Sequence, residues 1–371
     1  MKFKVCQFDD ETSARKGKLK INGKTIDTPT LWIGHTIGGK PEPWKSFPVD
    51  NLLVNAYEIL KKPSVFGEIN KKGIHKYLDF DGLVLMDSGG FLFQKKNDID
   101  VDASTILQLY HDSDPDIGVI LDHPFDLSKS RRINNRRWKV TINNTIYMFE
   151  NNGVSVLMPV LHGYNLDKIK KACKDIKKIT NTPKLISMGS LVPLLFRTKG
   201  MGKIGNGMQF IIDAITHVRN EFPESFLHVF GVGSTTSMYL MFSLGVDSVD
   251  SMGWRLKAAY GWVQIPDIGV RYLKANNTRK SGNRRIISNG EKDCLYNCNC
   301  PICSPLSKKD QIQKLESSFR DRAIHNAWVF LQEEKEYREK IKSGYLHDFV
   351  KSRLNKSPFI KGFNYMDLNA K

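Results

Sequence analysis

Short apolar runs rich in β-branched residues recur along the chain, and each ends in a polar residue or a glycine. Because polar residues do not alternate within them, these runs predict strands buried on both faces, as in a parallel sheet. The eight runs are Thr30–His35, Leu52–Tyr57, Leu83–Asp87, Ile117–Asp122, Val154–His162, Lys184–Gly189, Leu227–Gly231 and Val246–Asp250.

Helical stretches fit between several of these runs, for example Leu166–Ile179 and Gly207–Arg219. Eight strand–helix units over about 230 residues predict an α/β fold of the (β/α)8 TIM-barrel type. An open doubly wound sheet is the alternative, but no Gly-x-Gly-x-x-Gly follows the first strand to support it. We expect residues 1–273 to form the barrel domain, 274–345 a second subdomain and 346–371 a C-terminal tail.

Polar side chains stand at the ends of five of the predicted strands. They are Asp87, Asp122, His162, Ser190 and Asp250. In a TIM barrel the C-terminal strand ends form the active site, so these side chains are expected to converge on one mouth. A turn or a helix cap is the ordinary explanation for one isolated Asp, but it explains five such positions poorly.

Composition and charge narrow the class of protein. The chain has 371 residues, 40% hydrophobic and 26% charged, which is typical of a globular protein and excludes a fibrous or disordered one. No apolar run approaches the ~20 residues that span a bilayer, so we expect a cytoplasmic protein without a membrane partner. The net charge of +17 favours a polyanionic partner such as nucleic acid; a lysine-rich surface without a partner is the alternative.

Three of the six cysteines lie within six residues, as Cys298, Cys300 and Cys303. This spacing can place three thiolates around one tetrahedral cation, and His325, in a helix-like segment, can supply the fourth ligand. A Cys₃His site filled by protein ligands predicts structural zinc, Zn2+, rather than a catalytic metal. Cys294 is a rival ligand, and three ordinary thiols are the alternative.

Two segments combine carboxylates with small residues. Asp87 precedes Ser88-Gly89-Gly90, a small turn that lets a flat ligand approach the backbone, and Phe91 could stack on a ring or pack in the core. In the last strand, Asp250 could attack an anomeric carbon while a second carboxylate moves a proton. We expect Asp247, nearby in the same strand, to be a surface turn residue.

Four motifs in order resemble those of tRNA-guanine transglycosylases. They are Asp87-Ser-Gly-Gly-Phe, Gly231-Val-Gly-Ser, Gly245-Val-Asp-Ser-Val-Asp250 and the Cys-x-Cys-x-x-Cys…His-Asn signature. The likeness runs from about Pro29 to about Ile341 and is closest to the archaeosine-type branch. That family consists of zinc-bearing TIM barrels that exchange guanine for a 7-deazaguanine base. The resemblance therefore implies a pentosyltransferase that takes a free 7-deazaguanine base, and in this branch 7-cyano-7-deazaguanine.

The resemblance also assigns residue roles. Asp250 matches the nucleophile that forms a covalent intermediate with C1′ of the target nucleoside, Asp87 the general acid/base, and Asp122 a second carboxylate that recognises the purine. His162 stands where the family often has Gln, a departure that bears on which substituent of the base is accepted. The other residues expected at the base are Ser88, Gly89, Phe91, Gly163, Gly189, Ser190 and Leu191.

The resemblance does not by itself say whether the substrate is tRNA or DNA. Thirty residues follow Ile341, too few for the additional RNA-binding domains of archaeosine-type tRNA enzymes. The architecture resembles the DNA-guanine transglycosylases of phage and bacterial DNA-modification systems. We therefore expect DNA as the substrate, in the host cytoplasm if the protein is phage-encoded, with tRNA as the alternative. A homodimer or an accessory ATPase is a further expected partner.

Two other classes of function stay open. A metal-dependent TIM-barrel hydrolase would need metal ligands in the barrel, but the first strand lacks a His-x-His pair. A non-catalytic nucleic-acid-binding subunit would not need both Asp87 and Asp250, and the chain has both.

Overall fold

The computed structural model describes residues 1–90, 101–153, 156–195, 206–274 and 285–370. The strands are β1 Lys2–Phe8, β2 Arg15–Ile21, β3 Lys24–Thr28, β4 Thr30–Gly34, β5 Asn51–Asn55, β6 Leu83–Asp87, β7 Ile117–Val119, β8 Leu157–Met158, β9 Val160–Leu161, β10 Leu185–Met188, β11 Phe226–Val229, β12 Ser248–Ser251, β13 Val263–Ile265 and β14 Gly269–Arg271. The helices are α1 Ala56–Leu60, α2 Pro63–Leu78, α3 Ala103–Ser113, α4 Arg131–Glu150, α5 Leu166–Thr180, α6 Gly207–Glu221, α7 Ser237–Ser243, α8 Gly253–Ala259, α9 Asn289–Tyr296, α10 Lys308–Ser317, α11 Phe319–Ser343, α12 Leu346–Leu354 and α13 Ile360–Ala370. Pro43–Lys45 and Val192–Leu194 form 3-10 turns.

The parallel sheet closes on itself. Its order is β8-β7-β6-β5-β4-β12-β11-β10-β9, and β8 and β9 are consecutive dipeptides separated only by Pro159. Pro159 has no N–H, but its carbonyl accepts from Ser187 on one side while the carbonyl of Met158 accepts from Ile120 on the other. The two dipeptides therefore act as one strand shared by both edges. The predicted TIM barrel is confirmed, and the open sheet is excluded.

Helices cover the outside of the barrel, and their apolar sides contribute to its core. The expected helices in the two segments after β9 and β10 are confirmed as α5 and α6. In α6, Phe210, Ile211, Ala214 and Val218 lie on one side of the helix and are buried against the strands. Among the described helices, none is both long and apolar enough to cross a bilayer.

A three-stranded antiparallel sheet, β1-β2-β3, covers the N-terminal ends of the barrel strands. Arg15 of β2 reaches into the barrel floor and forms a bidentate ion pair with Asp247, at 2.8 and 2.7 Å. Arg219 pairs with the same carboxylate at 2.7 Å, and the Leu227 amide donates to it at 2.7 Å. The expectation that Asp247 is a surface turn residue is therefore wrong: it is fully buried because two arginines and a backbone amide satisfy its charge.

The chain after the barrel forms two packed regions. A small core surrounds the cysteine cluster, with Val263, Leu295 and Val329 among its members. The segment 346–371, expected to be a C-terminal tail, contains α12 and α13, whose Val350 and Phe363 join the core of the barrel. Whether 274–345 folds as a separate subdomain stays a prediction.

Candidate active site at the barrel mouth

The C-terminal ends of the barrel strands surround a cavity of about 560 Å³. The five strand-end residues expected to converge, Asp87, Asp122, His162, Ser190 and Asp250, all line it. They come from five different strands, so only the closed barrel brings them together. A cavity of this volume lies within the usual range for small-molecule sites.

Asp250 presents one occupied and one available carboxylate oxygen. Its Oδ1 accepts a hydrogen bond of 2.6 Å from the Gly231 amide, and Nε2 of the buried His228 lies 3.4 Å from the same atom. No described residue donates to Oδ2. Asp250 is 8% exposed, so its carboxylate is held in place yet reachable from the cavity. An oriented carboxylate with a free lone pair has the arrangement that a nucleophile needs.

Asp87 lies in an electrostatic environment that favours its neutral form. Burial, together with the nearby carboxylates of Asp122 and Asp250, raises the pKa of Asp87 to about 8 against the opposing effect of backbone amides. Asn55 donates to Oδ2 of Asp87 at 3.2 Å. At neutral pH Asp87 therefore carries a proton that it can give to a leaving group, and it can take one back within the same pH range.

A directed chain of hydrogen bonds holds Asp122. The Phe125 amide donates to Ser190 Oγ at 2.9 Å, Ser190 Oγ lies 3.0 Å from His162 Nδ1, and His162 Nε2 lies 2.7 Å from Asp122 Oδ2. A carboxylate only accepts, so Nε2 carries a proton and Ser190 is left to donate to Nδ1. Ser88 donates to the other oxygen, Oδ1, at 3.3 Å. Both oxygens of Asp122 are thus fixed in position.

Glycines allow these groups to approach the backbone. A Cβ atom on Gly90 would lie 2.2 Å from Asp122 Oδ1, and one on Gly189 would lie 2.6 Å from Cε1 of His162. Any side chain at either position would displace the carboxylate or the imidazole. Ser190, by contrast, is a non-glycine residue at φ +65°, a left-handed conformation that its hydrogen bonds to the backbone and to His162 help to hold.

The remaining expected base-pocket residues lie beside the cavity. Ser88 and Gly89 are buried in the turn behind Asp87, and Leu191 is part of the apolar core. Gly163 lies against α5, and a Cβ atom added at this position would lie 2.6 Å from the side chain of Ile169. Phe91 lies outside the described residues. The base-binding roles of all these residues stay predictions.

Two site residues were missed from the sequence. Asn55 ends β5 and contacts Asp87, and the signal was available because it is a polar residue at a strand end like the other five. His228 is a fully buried, titratable residue in the otherwise apolar run of β11, with Nδ1 2.7 Å from Ser248 Oγ. The sequence signal for His228 was a histidine within an apolar predicted strand, next in the chain to the predicted strand that ends at Asp250.

The cysteine cluster has the geometry of a tetrahedral metal site. Cys298, Cys300, Cys303 and His325 are all buried, and their ligand atoms lie within 4.8 Å of one another. His325 Nδ1 is 3.7, 3.3 and 3.4 Å from the three sulfurs, against about 3.5 Å for the S···N edge of a tetrahedral zinc site. His325 Nε2 lies 2.8 Å from the Gln264 carbonyl, to which it can only donate, so Nδ1 is free to bind a cation. The half-buried Cys294 lies outside this cluster.

The fold and the two sites together define a TIM-barrel protein with a carboxylate-lined mouth and an adjoining Cys₃His cluster. The family model for queuine tRNA-ribosyltransferase matches residues 9–358, and the chain belongs to this family.

Curated relatives include tRNA-guanine(15) transglycosylases from archaea. That of Pyrococcus furiosus is 26% identical over 357 residues, which cover 94% of this chain and 56% of the relative. That of Methanocaldococcus jannaschii is 27% identical over 376 residues, covering 96% and 52%. The relative from Nanoarchaeum equitans is 27% identical over 263 residues, covering 70% and 60%. The chain thus spans between half and two thirds of the length of these relatives.

Proposed function

We propose that this protein is a guanine transglycosylase that replaces guanine in tRNA with a 7-deazaguanine base. The observation that carries the proposal is the convergence of Asp87, Asp122 and Asp250 on one cavity at the barrel mouth. Membership of the queuine tRNA-ribosyltransferase family supports it.

In the first half-reaction, Asp250 Oδ2 attacks C1′ of the target nucleoside, and the bond between C1′ and N9 of guanine breaks. The electron pair of that bond goes to N9, and Asp87 donates its proton to the departing base. Asp87 carries this proton at neutral pH because its pKa is raised to about 8. The Gly231 amide holds Asp250 through Oδ1, which keeps the attacking oxygen in place.

The second half-reaction reverses these steps with a different base. The Asp87 carboxylate removes the N9 proton of the incoming 7-deazaguanine, whose nitrogen then attacks C1′. The bond between C1′ and Asp250 breaks, and the carboxylate is regenerated. The target nucleotide must leave its base stack to reach this cavity, so we expect it to be flipped out or unpaired.

Asp122 gives the site its preference for guanine. Guanine presents two N–H donors on its N1–N2 edge, and the fixed carboxylate of Asp122 can accept from both. Adenine presents an acceptor at N1, which would face the same carboxylate and be repelled. The resemblance to the archaeosine-type branch supports 7-cyano-7-deazaguanine as the incoming base.

The Cys₃His cluster is proposed to bind zinc in a structural role. A bound zinc ion would neutralise the thiolates and join the 298–303 loop to α11 through His325. All four ligands come from the protein, which leaves no open position for substrate.

The comparisons favour tRNA over DNA. The relatives described above are all named as tRNA-guanine(15) transglycosylases. The expectation of a DNA substrate was based on the small number of residues after Ile341, and it gains no support from the comparisons. A homodimer and an accessory ATPase stay predictions.

The proposal is tested by exchange of radiolabelled guanine into tRNA, single-stranded DNA and duplex DNA in parallel. We expect label in tRNA alone, and its loss in Asp250→Asn, which keeps the side-chain shape but removes the nucleophilic charge. Asp27→Asn is the matched control, since Asp27 is 45% exposed at the opposite end of the barrel. A covalent complex with tRNA that resists denaturant should form with wild type and be absent from Asp250→Asn.

Each outcome decides a separate part of the proposal. Label only in DNA would overturn the choice of tRNA and keep the mechanism. Equal activity of Asp250→Asn and wild type would overturn Asp250 as nucleophile. No label in any nucleic acid, with folded protein, would overturn the transglycosylase activity.

A further inference from the structure

Two neighbouring helices on one side of the barrel carry much of the positive charge of the molecule. The 20 residues of α4 and the 15 residues of α5 contain eleven Lys and Arg against three Asp and Glu. Nearly half of the net charge of +17 therefore lies on less than a tenth of the 371 residues. We call the exposed side of these helices the basic face; its members are Arg131, Arg132, Arg136, Lys139, Lys170, Lys171, Lys174 and Lys178.

Three arginines near the start of α4 have no neighbouring carboxylate among the described residues. The chain has no acidic residue between Asp126 and Glu150. Across the described ranges, no carboxylate lies within 4.0 Å of the guanidinium groups of Arg131, Arg132 or Arg136. These arginines occupy the first two turns of α4, where the helix dipole is already positive. This placement destabilises the helix slightly, and a bound anion would offset that cost.

Hydrogen bonds link α4 to the segment that carries Asp122. Arg137 donates to the Pro124 carbonyl at 2.8 Å, and Asn144 donates to the Leu121 carbonyl at 2.9 Å. These carbonyls lie on either side of Asp122, and Pro124 itself lines the catalytic cavity. Helix α4 is therefore positioned by the same segment that carries the base-recognising carboxylate.

A groove lies next to the catalytic cavity. It lies between α4 and α5, has a volume of about 620 Å³, and is lined by Lys139, Lys168, Lys171 and Lys178 around Trp138. His162 lines both this groove and the catalytic cavity. A strand whose target nucleotide enters the cavity would thus have adjoining phosphates within reach of the lysines and arginines.

We propose that the basic face binds the phosphate backbone of tRNA beside the target nucleotide. The inference rests on the proposed function, from which it takes the substrate. Arginine forks match phosphate oxygens, and backbone contacts position a nucleic acid without reading its sequence. Helix α4 is about 30 Å long, enough to follow several successive phosphates.

The test compares two triple variants that each remove three positive charges. Arg131→Gln/Arg132→Gln/Arg136→Gln removes them from the basic face. The control, Lys2→Gln/Lys4→Gln/Lys20→Gln, removes them from exposed positions on β1 and β2, at the opposite end of the barrel. Binding of a fluorescent tRNA transcript is measured by anisotropy over a series of salt concentrations, with duplex DNA in parallel.

We expect the arginine variant to bind tRNA about tenfold or more weakly at 0.1 M salt. Its slope of log K against log salt should be shallower by about 2 to 3, because each lost phosphate contact releases about one counterion fewer. The lysine control should keep the wild-type slope. Equal losses in both variants, an unchanged slope in the arginine variant, or a loss confined to duplex DNA would overturn the proposal.

Binding of free guanine separates this proposal from the proposed function. Both variants should bind guanine as wild type does, since neither touches the base cavity. A protein that holds tRNA through the basic face but exchanges no guanine would refute the transglycosylase activity and leave this surface in place.

Discussion

Two substitutions of Ser190, which has a left-handed backbone conformation, should differ in the free energy of unfolding but have the same effect on His162. Ser190→Ala removes the hydroxyl and keeps a Cβ at φ +65°, whereas Ser190→Gly removes both the hydroxyl and the Cβ. Both variants leave His162 Nδ1 and the Phe125 amide without the partner they have in wild type. The two substitutions therefore share the loss of hydrogen bonds and differ in backbone strain and in the flexibility of the unfolded chain.

The structure sets the size of each effect. Two hydrogen bonds contribute about 1 kcal/mol each, so Ser190→Ala should lower the free energy of unfolding by about 2 kcal/mol. A left-handed conformation costs a non-glycine residue about 1 to 2 kcal/mol, of which the greater flexibility of unfolded glycine cancels about half. Ser190→Gly should therefore be more stable than Ser190→Ala by about 1 kcal/mol, contrary to the usual cost of glycine.

Chemical denaturation measures these stabilities, and nitrogen NMR of labelled histidines measures the site. In wild type, His162 should show a protonated Nε2 and an Nδ1 that accepts a hydrogen bond, with its signals assigned from their loss in His162→Gln. Both Ser190 variants should shift the Nδ1 resonance by the same amount. A Ser190→Gly variant less stable than Ser190→Ala, or an Nδ1 signal unchanged in both, would refute this account of the hydrogen-bond chain.

Three further predictions follow from buried charges and thiols. Asp87→Asn should stabilise the fold at pH 7 by about 2 to 4 kcal/mol, because folded Asp87 keeps a proton that the unfolded chain releases. The contribution of Asp87 to stability therefore falls between about pH 4 and 8, and denaturation across that range should show a steeper fall in wild type than in Asp87→Asn. Cys300→Ser should lose one bound zinc per chain by metal analysis, whereas Cys294→Ser should keep it. Asp247→Asn should cost about 3 to 5 kcal/mol because two buried arginines lose their carboxylate, against about 1 kcal/mol or less for the exposed Asp27→Asn; similar losses in the two would contradict the burial argument.

Features that depend on local sequence were predictable. Each barrel strand is a run of apolar residues that must be buried, and its end is marked by the residue where that run stops. The cysteine cluster was predictable for the same reason, because three of its ligands lie within six residues. His325 was identified from its helix-like segment and from the Cys-x-Cys-x-x-Cys…His-Asn resemblance.

Features that depend on distant residues were not predictable. Asp247 has the sequence context of a turn, and only the approach of Arg15, 232 positions away, makes its burial tolerable. Asn55 and His228 were recognisable as polar residues in predicted strands, but their contacts with Asp87 and Ser248 depend on the register of neighbouring strands, which no local pattern specifies.

Local sequence patterns were enough to predict the barrel, the carboxylates at its strand ends and the metal-ligand set, because burial of apolar runs and the chemistry of short motifs are local properties. The tertiary structure decided how those carboxylates behave. The pKa of Asp87 rises because burial removes water and the closed barrel brings Asp122 and Asp250 close to it. Electrostatic interaction depends on distance in space, and the closed barrel brings these carboxylates to one cavity although they are far apart along the chain.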